Sequence, residues 1–322
     1  MNIFITGGAG YIGSALVNYL IKKEHRITVV DNFYKGRAEN LFPNAINLKD
    51  KLSLHKVDIR DSEKIKELLI KEKPDAVIHC AAIVDAFTTN SPDKEILCRE
   101  VIRDGTINLW KISRELGVKQ FVNTSTVSLY SNGKDLTEDS KKEPLSNYAK
   151  MKWEAEEFIM KHPGMKTTSL RPATVVGYAP GIRYETVINL FMMYAATGQT
   201  LPVFQKALDN EKTFLDILDI CRAYGFCLKN LDKVAGKSFN VVSYNITMRE
   251  FINKLKKHFP NLKINLIDNA NVSQQVYTVS GEKFNSLGFV PKPNLDKQID
   301  LMKKYFDRQS EVNKNLLRDS LG

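Results

Sequence analysis

A short apolar run over 3–6 breaks at Gly7-Gly8-Ala9-Gly10-Tyr11-Ile12-Gly13. A helical stretch over 12–24 then leads to a second apolar run that closes on Asp31. Strand, glycine turn, helix and an acid at the end of the next strand make up the pattern of a dinucleotide site. Gly7 permits the tight turn, Gly10 lets the backbone approach a pyrophosphate, and Gly13 lets the helix pack closely on the strand. The helix N-terminus turns unpaired N–H groups and a positive dipole end toward the phosphates. Asp31, after Ile27-Thr28-Val29-Val30, is placed to accept hydrogen bonds from the adenosine ribose hydroxyls. A 2′-phosphate there would meet a like charge, so NAD is favoured over NADP. A ligand-free glycine turn would account for the glycines but not for the acid on the following strand.

With 322 residues and 43% hydrophobic content, the chain can bury the core of one large or two smaller domains. No apolar run approaches the roughly 20 residues of a membrane span, and the amino terminus enters a strand without a signal-peptide pattern. A cytoplasmic protein is expected. Cys80, Cys98, Cys221 and Cys227 lack C-x-x-C spacing and read as reduced thiols, and His25, His55, His79, His162 and His258 show no ligand spacing, so no metal is assigned. The net charge of +10 suits anions. The lysines alternate with acids, as in Lys64-Ile65-Lys66-Glu67, and no aromatics punctuate a basic stripe, so solvated helix faces are expected and not nucleic-acid binding.

Short apolar strands then alternate with longer amphipathic stretches, the pattern of βαβ units in a doubly wound parallel α/β sheet. Strands are expected at 52–57, 76–80, 120–125 and 167–170, and helices at 62–73, 92–116 and 147–162. Right-handed crossovers would bring Gly7, Asp31, Asp58, Ala81 and Thr126 together at the carboxyl ends of the strands. Beyond Arg171-Pro172 the order loosens. Helices at 184–197, 216–229, 248–259 and 295–306 and strands at 201–204, 213–215 and 238–242 suggest a smaller α/β lobe over the substrate. The division expected is 1–172 plus 213–242 for the Rossmann domain and 173–212 plus 243–322 for the lobe. The polar end, 309–322, is expected to be frayed or helical on the surface.

Tyr148 and Lys152 lie one helical turn apart and share a face, so an ammonium can sit near the phenol and stabilise its phenolate. An unperturbed tyrosine, with its pKa of about 10, is a poor base at neutral pH. Tyr19 with Lys23 and Tyr130 with Lys134 share that spacing, but only Tyr148 opens the helix that follows the fifth strand. Asn123-Thr124-Ser125-Thr126 ends that strand with hydroxyls at the ligand edge, where a substrate oxygen could be held beside the phenol.

These segments, with Asp58-Ile59-Arg60-Asp61, His79-Cys80-Ala81-Ala82, the run 126–130, Tyr148-Ala149-Lys150-Met151-Lys152 and Leu170-Arg171-Pro172, together resemble the extended short-chain dehydrogenase/reductase family in its nucleotide-sugar epimerase/dehydratase branch. The resemblance spans nearly the whole chain and implies a Rossmann fold and NAD. It implies Tyr148 as acid/base, Thr126 as its hydroxyl partner and Lys152 as the third catalytic residue. The cofactor set it implies is Gly7, Gly10, Tyr11, Ile12, Gly13, Asp31, Asn32, Asp58, Ile59, Ala81, Ala82, Tyr148 and Lys152. Asp58 would meet the adenine and Lys152 the nicotinamide ribose. Ser128, Asn189 and Lys212 are the implied substrate contacts. A homodimer through the 92–116 and 147–162 helices is also implied.

Dehydratases and decarboxylases of the branch carry an acid just after the catalytic threonine, where this chain has Val127 and Ser128. That leaves an epimerase acting through a transient 4-keto sugar, or an NAD-dependent sugar dehydrogenase or reductase. A hydroxysteroid-type enzyme would need an apolar pocket, for which Phe191, Met192, Met193 and Tyr194 are candidates. A non-catalytic dinucleotide-binding protein would have no use for Thr126, Tyr148 and Lys152 together. The substrate side departs from the branch: Lys212 stands for an arginine, 269–277 lacks a second arginine, Val279 replaces an aspartate and Ile102 an asparagine. Lysine supplies charge but not a bidentate fork.

Overall fold

The structure is a computed structural model and describes residues 1–41, 51–268 and 277–319, with the side chains of 310–319 left out. In chain order the strands are β1 (Asn2–Thr6), β2 (Arg26–Asp31), β3 (Leu52–Lys56), β4 (Ala76–His79), β5 (Gln120–Thr124), β6 (Gly133–Leu136) and β7 (Lys166–Pro172). They continue with β8 (Thr174–Val176), β9 (Leu201–Phe204), β10 (Glu211–Asp216), β11 (Lys237–Val241), β12 (Tyr244–Thr247), β13 (Ile264–Ile267) and β14 (Tyr277–Val279).

Seven strands form one parallel sheet in the order β3-β2-β1-β4-β5-β7-β11. This is the doubly wound α/β sheet expected from the alternation of patterns. The order reverses between β1 and β4, and ligands of such sheets bind in the crevice at that switch point. Alternation along β1 sends Ile3 and Ile5 into a core with Leu16, Val17 and Tyr224 on one face, and Phe4 into a core with Val77, Trp110 and Phe121 on the other. A third core, around Phe191, Met192, Phe251, Leu255, Ile299 and Met302, lies in the carboxyl-terminal lobe. Phe191 and Met192 belong to it and do not face the cleft.

The elements differ from the expected ones in four places. The stretch expected as one helix over 92–116 opens with a tight turn at Pro92–Lys94, continues as α-helix at Glu95–Arg99, widens to a π-helical turn at Glu100–Asp104, and returns to α-helix at Gly105–Glu115. The Thr106 hydroxyl donates to the Ile102 carbonyl (2.6 Å), giving a side-chain partner to a carbonyl of the widened turn. A Cβ on Gly105 would lie 3.1 Å from Ile59 and 3.2 Å from the Glu100 carbonyl, so that packing leaves little room for a larger residue.

Of the segment 213–242, the large sheet takes β11 alone; β10 pairs with β8 and β12 in a separate three-stranded sheet. β6 pairs with the distant β14. The last helix runs over Leu295–Asp319, well past 306. Residues 320–322 lie outside the described residues, as does most of 269–277. Among the described residues no helix is long and apolar enough to cross a membrane, and no cluster of three or more ligating side chains could hold a metal ion.

Candidate active site

At the β1/β4 switch point, Gly7 follows β1 with φ +67°, and a Cβ there would stand 2.6 Å from the Ala81 backbone nitrogen. A side chain at Gly13 would meet the Gly7 carbonyl at 2.1 Å, which is why the helix Tyr11–Ile21 can lie against the turn only with glycine at that place. A cavity of about 740 Å³ opens above this turn. Its walls include Gly7, Gly10, Tyr11, Ile12, Gly13, Asp31, Asn32, Asp58, Ile59, Ala81, Ala82, Thr126, Ser128, Tyr148 and Lys152. All the expected cofactor and catalytic positions therefore meet in one cleft.

Asp31 is buried, and its carboxylate accepts from the Ala9 N–H (3.0 Å) and the Phe33 N–H (2.8 Å). Burial raises its pKa, and the two backbone bonds oppose that rise. Asp58 is held by Arg60, whose Nε donates at 2.9 Å, and by the Asn32 side-chain amide at 2.9 Å. The Arg60 bonds hold its pKa at about 2. The same guanidinium reaches Glu100 at 3.0 Å, tying this wall to the π-helical turn.

At the other end of the cleft, the helix Asn147–Lys161 starts at Ser146, whose hydroxyl accepts from the Ala149 N–H. It presents Tyr148 and, one turn on, Lys152. Burial pushes the Tyr148 phenol up to about 12, opposed first by the charge of Arg183 and then by a hydrogen bond with the Thr126 side chain. Lys152 is 2% exposed and donates to the Thr124 carbonyl at 2.7 Å; burial brings its pKa down to about 8. Tyr148 and Lys152 both line the cleft, as expected. Lys152 spends one of its three N–H donors on a backbone carbonyl, and the Arg183 guanidinium adds a second positive charge that favours the phenolate.

His79, beneath the cleft, bonds Thr6 Oγ1 through Nδ1 (2.7 Å) and Thr106 Oγ1 through Nε2 (2.8 Å). Because Thr106 already donates to Ile102, it accepts from Nε2–H. Burial, aided by the charge of Lys152, lowers the pKa of His79 far below its usual value, so the ring is neutral and structural.

Two expected substrate residues are elsewhere. Asn189 is fully buried: its Oδ1 accepts from the Gly177 N–H (3.1 Å) and its Nδ2 donates to the Arg183 carbonyl (2.9 Å) and the Tyr11 hydroxyl (3.3 Å). A side chain saturated by such partners has nothing left for a ligand, and it does not line the cleft. Lys212 projects from β10, half-buried and away from the cleft. The residue missed by sequence reasoning is Arg183, while the sequence places Ser125 only among the hydroxyls of the strand end. Both line the cleft, and the buried Ser125 hydroxyl has no hydrogen-bond partner among the described residues. Ser125 belongs to a hydroxyl-rich strand end visible in the sequence, whereas Arg183 sits in a loop with no motif of its own. The rival pairs are excluded by position: the Lys23 ammonium lies over the Tyr19 ring, and the Tyr130 hydroxyl is spent on Asn240 and Arg171.

The model of the family described as "NAD dependent epimerase/dehydratase family" matches residues 3–242. The chain belongs to this family. Among family relatives, the putative UDP-arabinose 4-epimerase 4 of Arabidopsis thaliana is 26% identical over 291 residues, covering 80% of this chain and 64% of its own length. The UDP-glucose 4-epimerase of Lactobacillus helveticus is 31% identical over 182 residues, covering 55% of this chain and 52% of its own length. The chain thus spans between half and two thirds of these curated relatives. Among solved structures, the UDP-glucose 4-epimerase of Thermus thermophilus in complex with NAD superposes with a TM-score of 0.80 at 23% identity, covering 95% of this chain and 99% of that one. The UDP-glucuronic acid 4-epimerase of Bacillus cereus, in complex with UDP-glucuronic acid and NAD, reaches 0.84 at 21%, covering 96% and 100%. At these identities the likeness shows the shared fold.

Family membership makes NAD the cofactor, and the cleft fits it. Gly10 leaves the turn open, Asp31 lines the cleft, and Ser125 offers a hydroxyl without a partner among the described residues.

Proposed function

We propose that this protein is an NAD-dependent epimerase that inverts C4 of a nucleotide sugar through a transient ketone. One observation carries the reading. Thr126, Tyr148 and Lys152 share a cleft with the glycine turn and Asp31, and Val127 and Ser128 stand where elimination would need an acid. NAD, when bound, would supply the reversible hydride acceptor that such an inversion requires. Gly7, Gly10 and Gly13 would cradle its pyrophosphate, Asp31 would hold the ribose, and Asp58 with Asn32 and Ile59 would flank the adenine.

Tyr148 takes the proton of the C4 hydroxyl and later gives it back. Thr126 orients that oxygen beside the phenol, and Lys152 and Arg183 supply the positive charge that makes proton removal feasible. Ser128 contacts the sugar. Arg183, on the cleft wall, takes the anion-binding task expected of Lys212. The large sheet with its helices forms the cofactor domain, and the lobe around Phe191 and Phe251 covers the substrate.

The protein acts in the cytoplasm as a homodimer. The exposed Phe87 (91%), in a turn packed against the helix Asn147–Lys161, and the exposed Ile96 (74%), in the stretch 92–116, support pairing through these helices. A monomer in light scattering at micromolar concentration would refute the dimer.

The decisive experiment incubates the protein with UDP-glucose, UDP-arabinose and UDP-glucuronic acid and follows C4 inversion by NMR. Epimer formation without net reduction of NAD, lost in Tyr148→Phe while NAD still binds, is the expected result. Net sugar oxidation with accumulating NADH would establish a dehydrogenase instead.

A further inference from the structure

The helix Asn147–Lys161 carries a third functional group on the face of Tyr148 and Lys152. Glu156 follows Lys152 by four residues, as Lys152 follows Tyr148, so the three side chains form one column. Glu156 is 1% exposed. It accepts from Nε and Nη2 of Arg171 at 3.0 and 2.7 Å and from the Ser238 hydroxyl at 2.7 Å. Arg171, 3% exposed, also donates to the Tyr130 hydroxyl (2.8 Å), which donates to Asn240 Oδ1 (2.9 Å).

A buried ion pair is a poor way to gain stability, since desolvation offsets most of its Coulomb attraction. Its position suggests another use. Lys152, one turn above, is a buried ammonium anchored to the Thr124 carbonyl. Burial favours loss of its proton, and the ionisable groups that oppose this are Cys80 and Glu156. Cys80 is itself kept as a thiol by burial, the nearby His79 is neutral, and Arg171 is paired with the carboxylate at 2.7 Å. Among the described residues, Glu156 is therefore the carboxylate that supports the charge of Lys152.

We propose that Glu156 is a positioning residue that keeps Lys152 protonated and aimed at the Thr124 carbonyl beside Tyr148, with Arg171 and Tyr130 fixing the carboxylate in place. The inference rests on the proposed role of Lys152 as the cation of the epimerase site.

The test labels lysine at Cε and Nζ in the full-length protein, assigns the Lys152 resonance by its loss in Lys152→Met, and titrates it by NMR. Glu156→Gln removes the charge at constant size. Glu156→Gln/Arg171→Gln removes both charges and covers the case in which an unpaired Arg171 prevents folding. Glu156→Asp keeps the charge.

The Lys152 midpoint is expected to fall by about one pH unit in Glu156→Gln, to fall in the double variant, and to recover in Glu156→Asp. The alkaline limb of kcat/KM should move down with it, with NAD affinity unchanged within about twofold. An unmoved midpoint in a folded charge-removing variant overturns the proposal. If wild type epimerises sugars but the midpoint does not move, this inference fails and the functional reading stands. If the midpoint moves but no sugar is epimerised, the reading fails and the electrostatic role stands.

Discussion

Lys152 donates its ammonium to the carbonyl of Thr124 at 2.7 Å, binding the helix that bears Tyr148 to the end of β5. That bond comes at the expense of solvation, since burial lowers the pKa of Lys152 to about 8. The unfolded chain therefore binds more protons than the folded one between about pH 8 and the ordinary lysine range. Stability attributable to this group rises with pH across that window, and below it the full penalty is present.

Lys152→Met should consequently be more stable than wild type at neutral pH, by about 1–3 kcal/mol after the lost bond to Thr124 is counted. The gap should close above pH ~10.5, and turnover should be lost at every pH. Paired denaturant titrations across this range would check it; a variant less stable at neutral pH would contradict the penalty.

The glycines of the turn separate into those the fold needs and those the ligand needs. A Cβ on Gly13 would be 2.1 Å from the Gly7 carbonyl, whereas one on Gly10 would have a single neighbour, the same carbonyl, at 3.3 Å. Gly13→Ala should lower the melting temperature and abolish dinucleotide binding together. Gly10→Ala should fold with wild-type stability, within about 0.5 kcal/mol, and still lose NAD affinity, because its methyl would occupy the cleft. Calorimetry of both variants with and without NAD distinguishes them, and a Gly10→Ala protein that binds NAD normally would remove the turn from the cofactor site.

What the sequence made legible is what local spacing controls. The turn at Gly7–Gly13 and the acid at Asp31 declare themselves because each position answers a short-range requirement, and the strand and helix periodicities carry the large sheet. The pairing of β6 with β14 was not legible, because Gly133–Leu136 is half charged and its partner lies over a hundred residues away. The π-helical turn has a carbonyl, that of Ile102, bonded by the Thr106 hydroxyl, a residue type that any helix could carry. Asn189 and Lys212 show the same limit at the site. Their residue types suit a phosphate, but Asn189 is turned into the core by the amide of Gly177 and the carbonyl of Arg183. Arg183, a lone arginine in a loop, becomes a site residue only through the packing of that loop over the turn. The Tyr11 hydroxyl donates to the Gly177 carbonyl at 2.6 Å, and Gly181 lies so close that a Cβ would be 2.8 Å from the Gly10 carbonyl.

Asp31 holds its carboxylate against two backbone N–H groups, yet burial still raises its pKa. Its protonation on acidification should therefore weaken NAD binding at a higher pH than an exposed aspartate would. Asp31→Ser should reduce NAD affinity by at least tenfold, about 1.4 kcal/mol, and narrow the preference for NAD over NADP. Isothermal titration with both cofactors over an acidic pH series checks this; equal NAD affinity in wild type and variant would deny the ribose contact.

Arg183 is the charge that lowers the Tyr148 phenol against the burial that drives it up to about 12. Its ion pair with Glu185, at 3.6 Å, is loose, which leaves the guanidinium available to the cleft. Removing it in Arg183→Ala should raise the phenol pKa further. Below that pKa, the fraction of Tyr148 able to accept a proton then falls about tenfold for each pH unit by which the phenol midpoint rises. The loss should appear in kcat as well as KM, since the substrate anion and the phenol draw on the same cation, and Arg183→Lys should restore part of kcat. Ultraviolet difference titration against a Tyr148→Phe background reads the phenol without any substrate. A phenol midpoint identical in wild type and Arg183→Ala would return the electrostatic role to Lys152 and leave Arg183 a substrate contact alone.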